Sequence, residues 1–204
     1  MSLAEKFVKI PTTCLSDAMQ GLNNLNPSIK PLDETMTVIG RAFPVKLPVG
    51  DNLLFLKAIR DAQPGDVLVV DVKGDAYRAI AGDFLLGMAQ TLGIAGLVVD
   101  GAIRDVRGCK ALNFPVFCKG TTVAACGKAG MGELNVPISC GGVSVCPGDL
   151  IVGDADGVVV IPQAIENEVL EKALERLKFD EQRVAQVAGN REEILRYLDK
   201  MLSK

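Results

Sequence analysis

The sequence predicts an α/β or layered α+β fold. Short runs rich in Val, Ile and Leu alternate along the chain with segments whose apolar residues recur at helical spacing, which is typical of helices packed on a sheet. The 204 residues contain no linker or low-complexity stretch, and a chain of this length can bury a core of its own. We therefore expect one domain over residues 1–204.

In the N-terminal half, the predicted helices follow capping residues and end at glycines. Thr12 or Thr13 is suited to cap a first helix through 16–19, which Gly21 closes. The other predicted elements here are a buried helix over 52–62 capped by Asp51, a strand over 67–71 after a Pro-Gly-Asp turn, a helix over 84–92 capped by Asp83 and ended by Gly93, and a strand over 96–99.

In the C-terminal half, strands give way to helices. Pro162 can open a long helix at its first turn, because its fixed φ suits that position, and its apolar residues from 165 to 177 form one stripe. The other predicted elements are a strand over 115–118, loops and short strands over 127–142, a hairpin of strands 150–154 and 158–161 turning at Asp156-Gly157, and a short terminal helix after Gly189-Asn190.

The composition excludes several classes of function. The chain has no histidine, which rules out His-based metal sites and Ser–His or Cys–His relays. A net charge of −3 and a pI near 5.1 give no basic surface for nucleic acid, and no stretch approaches the ~20 apolar residues of a membrane helix. The six cysteines form no C-x-x-C pair, so we interpret them as reduced thiols of a cytoplasmic protein; a thiolate nucleophile stays open.

One constellation could carry chemistry. A helix that starts after Gly82-Asp83 presents free amides and the positive end of its dipole, which favour an anion. The following strand runs back antiparallel to that helix, so Arg104 and Asp105 should lie near the helix start. Arg104 could bind a carboxylate in bidentate fashion, and Asp105 could hold a hard cation such as Mg²⁺. One pocket could thus bind a 2-oxo acid beside a metal ion.

A plainer interpretation of the same residues stays open. Asp83 could be only a helix cap, Asp100-Gly101 only a turn, and Arg104 and Asp105 only a solvated ion pair. Spacing alone does not decide between the two interpretations.

Motifs along most of the chain resemble one family. They are the run Gly65–Asp71, then Gly82-Asp83, the run Gly96–Asp105, Pro115-Val116-Phe117, Pro147-Gly148-Asp149, and the run Asp154–Pro162. Together they resemble the family of the 4-hydroxy-4-methyl-2-oxoglutarate aldolases and the regulator of ribonuclease activity A (RraA-like), over about residues 10–180. The predicted C-terminal helices lie in residues 163–204, so they continue past the end of this region.

The resemblance implies a three-layer β/β/α sandwich of the swivelling-domain type, trimers or hexamers, and a site between subunits. It implies that Arg104 binds and stabilises a pyruvate enolate, that Asp105 ligates Mg²⁺ or Mn²⁺, and that Asp83 holds a water on that metal. The amides after Gly82, at Asp83, Phe84 and Leu85, are implied to hold the substrate carboxylate. A neighbouring chain is implied to supply a further acid, for which Asp180 and Glu181 are candidates.

The chain departs from the aldolase pattern at one position. That pattern reads Arg-Asp-x-x-Glu/Asp, whereas here Gly108 stands in place of the acid and Arg107 adds a positive charge. The resemblance therefore supports two functions. The first is a metal-dependent lyase acting on a small 2-oxo acid by aldol cleavage or decarboxylation. The second is a non-catalytic protein that binds and regulates a ribonuclease.

Overall fold

The computed structural model describes residues 4–203, so the first three residues of the predicted domain and Lys204 lie outside it. The helices are α1 (Thr12–Ala18), α2 (Leu53–Asp61), α3 (Asp83–Thr91), α4 (Val106–Ala111), α5 (Glu166–Val187) and α6 (Arg191–Leu202), with 3-10 turns at Ala4–Phe7 and Gln163–Ile165. The strands are β1 (Lys30–Pro31), β2 (Val38–Lys46), β3 (Asp66–Asp71), β4 (Arg78–Ala79), β5 (Gly96–Ile103), β6 (Val116–Thr121), β7 (Ala124–Ala125), β8 (Glu133–Leu134), β9 (Ile138–Cys140), β10 (Val143–Val145), β11 (Leu150–Asp154) and β12 (Gly157–Ile161).

One mixed, nearly closed sheet organises the fold, as the predicted α/β class requires. Its strand order is β1-β6-β5-β3-β2-β11-β12, with β4, β7 and β8 attached beside this path. Strands β2, β3, β5 and β6 are parallel, and β11 runs antiparallel to both β2 and β12. The segment just before β1 returns to β12, where Leu25 N–H donates to Val158 O at 3.0 Å and Val160 N–H donates to Asn23 O at 3.0 Å.

Both faces of the central strands are buried, which produces the layered β/β/α arrangement. On β3, Leu68 and Val70 pack against helices α2, α3 and α4, whereas Val67 and Val69 face the interior of the curved sheet. The hairpin of β9 and β10 contributes to this interior core. A third core packs α1 and α5 on the outer face of β11 and β12. Strands covered on both faces are near-continuous apolar runs, as the sequence of β3 is.

One long strand and one helix were missing from the sequence prediction, as were the two-residue strands β1, β4 and β7. Strand β2 lies in the middle of the sheet, yet Gly40 and Pro44 interrupt its sequence. Pro44 is tolerated because it falls between the stretch of β2 that pairs with β11 and the stretch that pairs with β8. Helix α4 was missed because it is short and contains Gly108, a poor helix former. In addition, Asp100-Gly101 is part of strand β5 and not a turn.

The cap of α1 comes from a distant residue, which corrects the expectation for Thr12 and Thr13. Thr12 is the first residue of α1, and both its N–H and its hydroxyl donate to the carboxylate of Asp154, at 2.9 and 2.7 Å. The same carboxylate accepts the N–H of Asp156 at 2.9 Å. Asp154 therefore ties the β11–β12 hairpin to α1, and this part of the recognised motif has a structural role.

Helix α5 is fixed to the sheet by an ion pair. Glu166 is buried at the start of α5, and its carboxylate binds the guanidinium of Arg41 on β2 through both oxygens. Arg41 also donates to Gly148 O at 3.1 Å. In residues 4–203, no helix is both long enough and apolar enough to cross a membrane.

We predict that Asp154→Ala lowers the free energy of unfolding by about 1 kcal/mol, because α1 loses its N-terminal acceptor. Urea denaturation measures this change. Asp156→Ala is the matched control: its carboxylate lies in the same turn without bonding α1, and we expect a change below about 0.5 kcal/mol. Equal losses in the two variants would contradict the capping role.

Candidate functional site

The end of strand β5 lies beside the start of helix α3. The backbone N–H of Arg104, which directly follows β5, donates to Ala81 O at 2.9 Å. Ala81 precedes Gly82, the N-cap residue of α3. Arg104 therefore lies near the start of α3, as the sequence predicted, and a backbone hydrogen bond fixes this arrangement.

A small cavity of about 210 Å³ opens at this junction. Ligand pockets usually start at about 300 Å³, so this one suits a small acid better than a nucleotide. Five predicted site residues line it, together with residues that the sequence did not single out for this role. The predicted ones are Gly82, Phe84, Leu85, Arg104 and Asp105, and the additional ones include Asn52, Cys126 and Lys128.

Asp105 adopts an unusual backbone conformation. Its φ of 57° lies in the left-handed region, and it is the N-cap residue of α4. Such a conformation in a non-glycine residue is often found at functional sites. The carboxylate lies against Gly82, where any Cβ would overlap Oδ2, and Oδ2 is 3.2 Å from Arg104 Nε. Both side chains are 44% exposed, so solvent and ligands can reach them.

Asp83 lies against Gly108, which gives the departure from the aldolase pattern a physical reason. A Cβ at position 108 would overlap Oδ2 and Cβ of Asp83. The Asp83 carboxylate thus fills the space that an acidic side chain at 108 would need. Asp83 lines an adjacent groove and is not among the residues that line the small cavity, so its role at the site stays a prediction.

The amides at the start of α3 are partly engaged. The first intrahelical hydrogen bond runs from Leu86 N–H to Gly82 O, so the three preceding amides are not used by the helix. The N–H of Phe84 donates to Asp83 Oδ1 at 2.7 Å. A substrate carboxylate could use this amide only if the Asp83 side chain turned away.

The thiol next to the site is not activated. Cys109 is buried in α4, and its Sγ–H donates to Arg104 O at 3.1 Å. Burial, together with the negative charges of Asp83 and Asp105, raises the pKa of Cys109 to about 11. All six cysteines lie within the described residues and are unpaired, in agreement with the expected reduced thiols.

The carboxylates at the site fit a divalent cation of the Mg²⁺ type. Among residues 4–203, no three His, Cys, Asp or Glu residues form a metal-binding group, so the chain offers no all-protein cage. Mg²⁺ commonly binds through one or two carboxylates while water and substrate complete its shell. Asp105 is exposed at the cavity and could serve as such a ligand, with Asp83 nearby across Gly82.

Other expected residues lie elsewhere. Arg107 is exposed on α4 and is not among the described residues that line the cavity. Asp180 lies on α5, where it forms ion pairs with Arg176 at 3.2 Å and Arg183 at 2.9 Å, and Glu181 is exposed beside it. Within one chain, neither of these two acids lines the cavity.

A wide apolar groove adjoins the cavity between α2 and α3. Its volume is about 800 Å³, and Phe84 belongs to both, with 76% of the residue exposed. Leu92, at the other end of α3, is 51% exposed. The other apolar side chains of the groove are Leu56, Ile59, Met88 and Leu112.

Comparison with known proteins agrees with this architecture. The family model described as "RraA-like: Aldolase/RraA" matches residues 12–160. A protein of Halalkalibacterium halodurans named "Putative 4-hydroxy-4-methyl-2-oxoglutarate aldolase" is 60% identical over 197 residues, which are 97% of this chain and 94% of that protein.

Solved structures show the same likeness. The RNA-processing inhibitor RraA from Thermus thermophilis superposes with a TM-score of 0.70 at 31% identity, covering 76% of this chain and 94% of its own. RraAS2 of Streptomyces coelicolor, described as an unusual member of the RNase ES inhibitor RraA family, has a TM-score of 0.79 at 30% identity, covering 89% and 94%. Helices α5 and α6 lie beyond the residues that the family model matches.

We predict that Gly108→Ala lowers the free energy of unfolding by about 1–3 kcal/mol, because the new methyl group overlaps Asp83. Asp83→Gly in the same chain should relieve the overlap, so the double variant should lose less than the sum of the single losses. Chemical denaturation of all four proteins gives this coupling. Gly87→Ala is the control, because a Cβ there makes only ordinary contact with Leu112; additive losses at 83 and 108 would refute the overlap.

Proposed function

Because the chain belongs to the RraA-like (Aldolase/RraA) family, we propose that it is a divalent-metal-dependent lyase. Its substrate is a small 2-oxo acid, which it cleaves or decarboxylates to release pyruvate. The observation that carries this proposal is the cavity at which Arg104, Asp105 and the start of α3 meet. The similarity to the Halalkalibacterium halodurans protein supports the aldolase reaction in particular.

Both reactions place negative charge on the same atom. In decarboxylation of oxaloacetate, the C3–C4 bond breaks, CO₂ leaves, and the electron pair moves toward the 2-oxo oxygen. In aldol cleavage of 4-hydroxy-4-methyl-2-oxoglutarate, the C4 hydroxyl loses its proton as the C3–C4 bond breaks, and the pair moves to the same oxygen. In each case C3 then takes up a proton, and pyruvate results.

Arg104 stabilises the charge that develops on this oxygen. Arg104 lines the cavity, and an arginine side chain brings a fixed positive charge with five N–H donors. A fixed cation next to a developing oxyanion lowers the barrier because it needs no reorganisation during the reaction. The N–H groups at the start of α3, from Gly82 to Leu85, and the helix dipole would hold the substrate carboxylate. The N–H of Phe84 joins them when the Asp83 side chain turns away from it.

Asp105 would hold Mg²⁺ or Mn²⁺, which when bound supplies a Lewis acid that polarises the 2-oxo group. Asp83, which lines the adjoining groove, is the residue that we assign to holding the water through which a proton leaves the C4 hydroxyl and reaches C3. Its half-buried carboxylate lies beside the start of α4, one turn from Asp105. Both roles are compatible with the absence of histidine from the sequence.

We further propose that the protein acts as a homo-oligomer, a trimer or hexamer, in the cytoplasm. A second copy of the chain would cover the apolar groove between α2 and α3. Because Leu56 and Phe84 line both the groove and the cavity, the cavity would lie at the edge of that interface. The six unpaired thiols suit a reducing compartment. Neither a nucleic acid nor a membrane is among the proposed partners.

A protein-binding regulator of a ribonuclease is the second candidate function. The likeness to the RNA-processing inhibitor RraA favours it. Asp105→Ala separates the two functions, because it removes the proposed metal ligand from a lyase and leaves a purely binding surface intact.

We predict that Arg104→Ala lowers kcat about 10²–10³-fold, the usual cost of losing one donor to a developing oxyanion. Pyruvate release from oxaloacetate and from 4-hydroxy-4-methyl-2-oxoglutarate is followed with Mg²⁺ and again with a chelator, which should abolish it. Arg107→Ala is the control, since it removes a nearby exposed cation outside the cavity. Failure of the wild type to release pyruvate in a metal-dependent way, or an unchanged rate in Arg104→Ala, would sink the lyase proposal.

We predict that Leu92→Glu dissociates the oligomer, because a charge would be buried in the apolar groove without a partner. Light scattering coupled to gel filtration should show the wild type at a multiple of 21.6 kDa and the variant near that value. Leu174→Glu changes a leucine of similar exposure on α5 and should leave the mass unchanged. A wild-type mass of one chain would contradict the assembly.

A further inference from the structure

Strand β5 contains a β-bulge just before the candidate site. Between Val99 and Ala102, β5 has two residues where the paired strand β6 has only one, Lys119. Bulges of this kind are often found next to active sites, because the extra residue bends the strand and turns the side chains that follow. Arg104 is the first residue after β5, so the bulge sets the direction in which Arg104 leaves the sheet.

The strand also changes its neighbour on the other side at this bulge. Asp100 is the last residue of β5 in register with β3, whereas Ala102 is in register with the short strand β4. Past the bulge, Ile80 N–H donates to Ala102 O at 3.0 Å and Arg104 N–H donates to Ala81 O at 2.9 Å. Because Ile80 and Ala81 line the small cavity, this change of neighbour brings Arg104 to the cavity wall.

A buried carboxylate holds the bulge from several sides. Asp100 lies in the bulge and is 8% exposed, and its Oδ1 forms an ion pair with the ammonium group of Lys119 on β6. Its Oδ2 accepts the N–H of Gly141 at 3.1 Å, in the turn between β9 and β10. Its backbone oxygen accepts the N–H of Gly74 at 3.1 Å, in the turn after β3. A Cβ at Gly74 would lie 3.1 Å from Lys119 Nζ, so the same turn also covers the lysine.

The ion pair makes this conformation of the bulge specific. A carboxylate buried to this degree is stable only while a cation and hydrogen bonds compensate its charge. In the bulge, Lys119 supplies the cation and Gly141 supplies a hydrogen bond. If the bulge relaxed or β5 slipped along β6, Asp100 would leave Lys119 and its charge would be unpaired. The pair therefore disfavours the alternative registers.

We propose that Asp100 and Lys119 are positioning residues, which direct Arg104 into the cavity through the bulge in β5. The proposal rests on the proposed function, in which Arg104 stabilises the developing oxyanion. Neither Asp100 nor Lys119 is among the described residues that line the cavity. Their effect on the reaction must therefore pass through the backbone that leads to Arg104.

Lys119→Met tests this role. The variant keeps a long side chain but leaves the Asp100 carboxylate without its cation, so the bulge should rearrange and Arg104 should shift. Since a displacement of about 1 Å can lower a rate ~10²-fold, we expect kcat for pyruvate release from oxaloacetate with Mg²⁺ to fall at least about 10-fold. KM should change less than about 3-fold, because Arg104 acts on the transition state. Lys119→Arg restores the charge and should recover most of the rate.

A second background separates positioning from general destabilisation. In an Arg104→Ala chain the group to be positioned is gone, so adding Lys119→Met should lower kcat by less than about 2-fold. A merely structural defect would instead lower the active fraction by the same factor with and without Arg104. If Lys119→Met fails to fold, Asp100→Asn combined with it carries the same test, since this pair of changes buries no unpaired charge and keeps an acceptor for Gly141.

Lys73→Met is the matched control. Lys73 pairs at 3.0 Å with Asp71, a buried aspartate of β3 that is in register with Asp100. This second ion pair lies outside the bulge, and its lysine is largely exposed. The kcat of Lys73→Met should therefore stay within about 2-fold of the wild type, and a loss as large as that of Lys119→Met would overturn the proposal.

Hydrogen exchange gives a readout that does not depend on activity. The amides of Ile80 and Arg104, whose bonds join β5 to the cavity wall, should exchange faster in Lys119→Met and at the wild-type rate in Lys73→Met. Unchanged exchange at both amides, an unchanged kcat in Lys119→Met, or an equal loss of kcat in the two backgrounds overturns the proposal. If exchange responds as expected but the wild type releases no pyruvate, the positioning of Arg104 stands and the lyase function fails.

Discussion

Two carboxylates packed against two glycines set the geometry of the candidate site. The Asp105 carboxylate, at the start of α4, lies over Gly82 at the start of α3. The Asp83 carboxylate of α3 in turn lies over Gly108 of α4. Side chains at either glycine would push the carboxylates apart. The close approach of α3 and α4 depends on this reciprocal contact, and the backbone hydrogen bond from Arg104 to Ala81 fixes the end of β5 beside it.

The charged side chains around the site differ in the partners that they contact. Arg104 is paired with Asp105, Asp83 bonds a helix amide, and Lys128 has no carboxylate nearby among the described residues. Burial and the charges of Asp83 and Asp105 raise the pKa of the adjacent Cys109 thiol. The site thus offers cations for a substrate and oxygen ligands for a metal, and its neighbouring thiol contributes no nucleophile.

The sequence predicted the parts of this site that depend on local signals. Gly82-Asp83 marks a helix start, and Arg104 follows an apolar strand, so their meeting could be inferred. Strand β2 was not predicted, because Gly40 and Pro44 are unfavourable in a strand. Its strand conformation depends on pairing with β11 on one side and β3 on the other. The position of Lys128 at the cavity could not be inferred either, because Asp51, far away in the sequence, holds the loop that follows it.

The near-closure of the sheet also limits how copies of this chain can associate. Backbone groups along the outer side of β12 are already bonded by residues 23–25, and β1 covers β6 at the other end. A sheet with few open edges is a poor template for strand addition and for the aggregation that strand addition can seed. An assembly of copies would therefore rely on side chains of helices and loops, and surface substitutions could alter it while the barrel-like sheet stays the same.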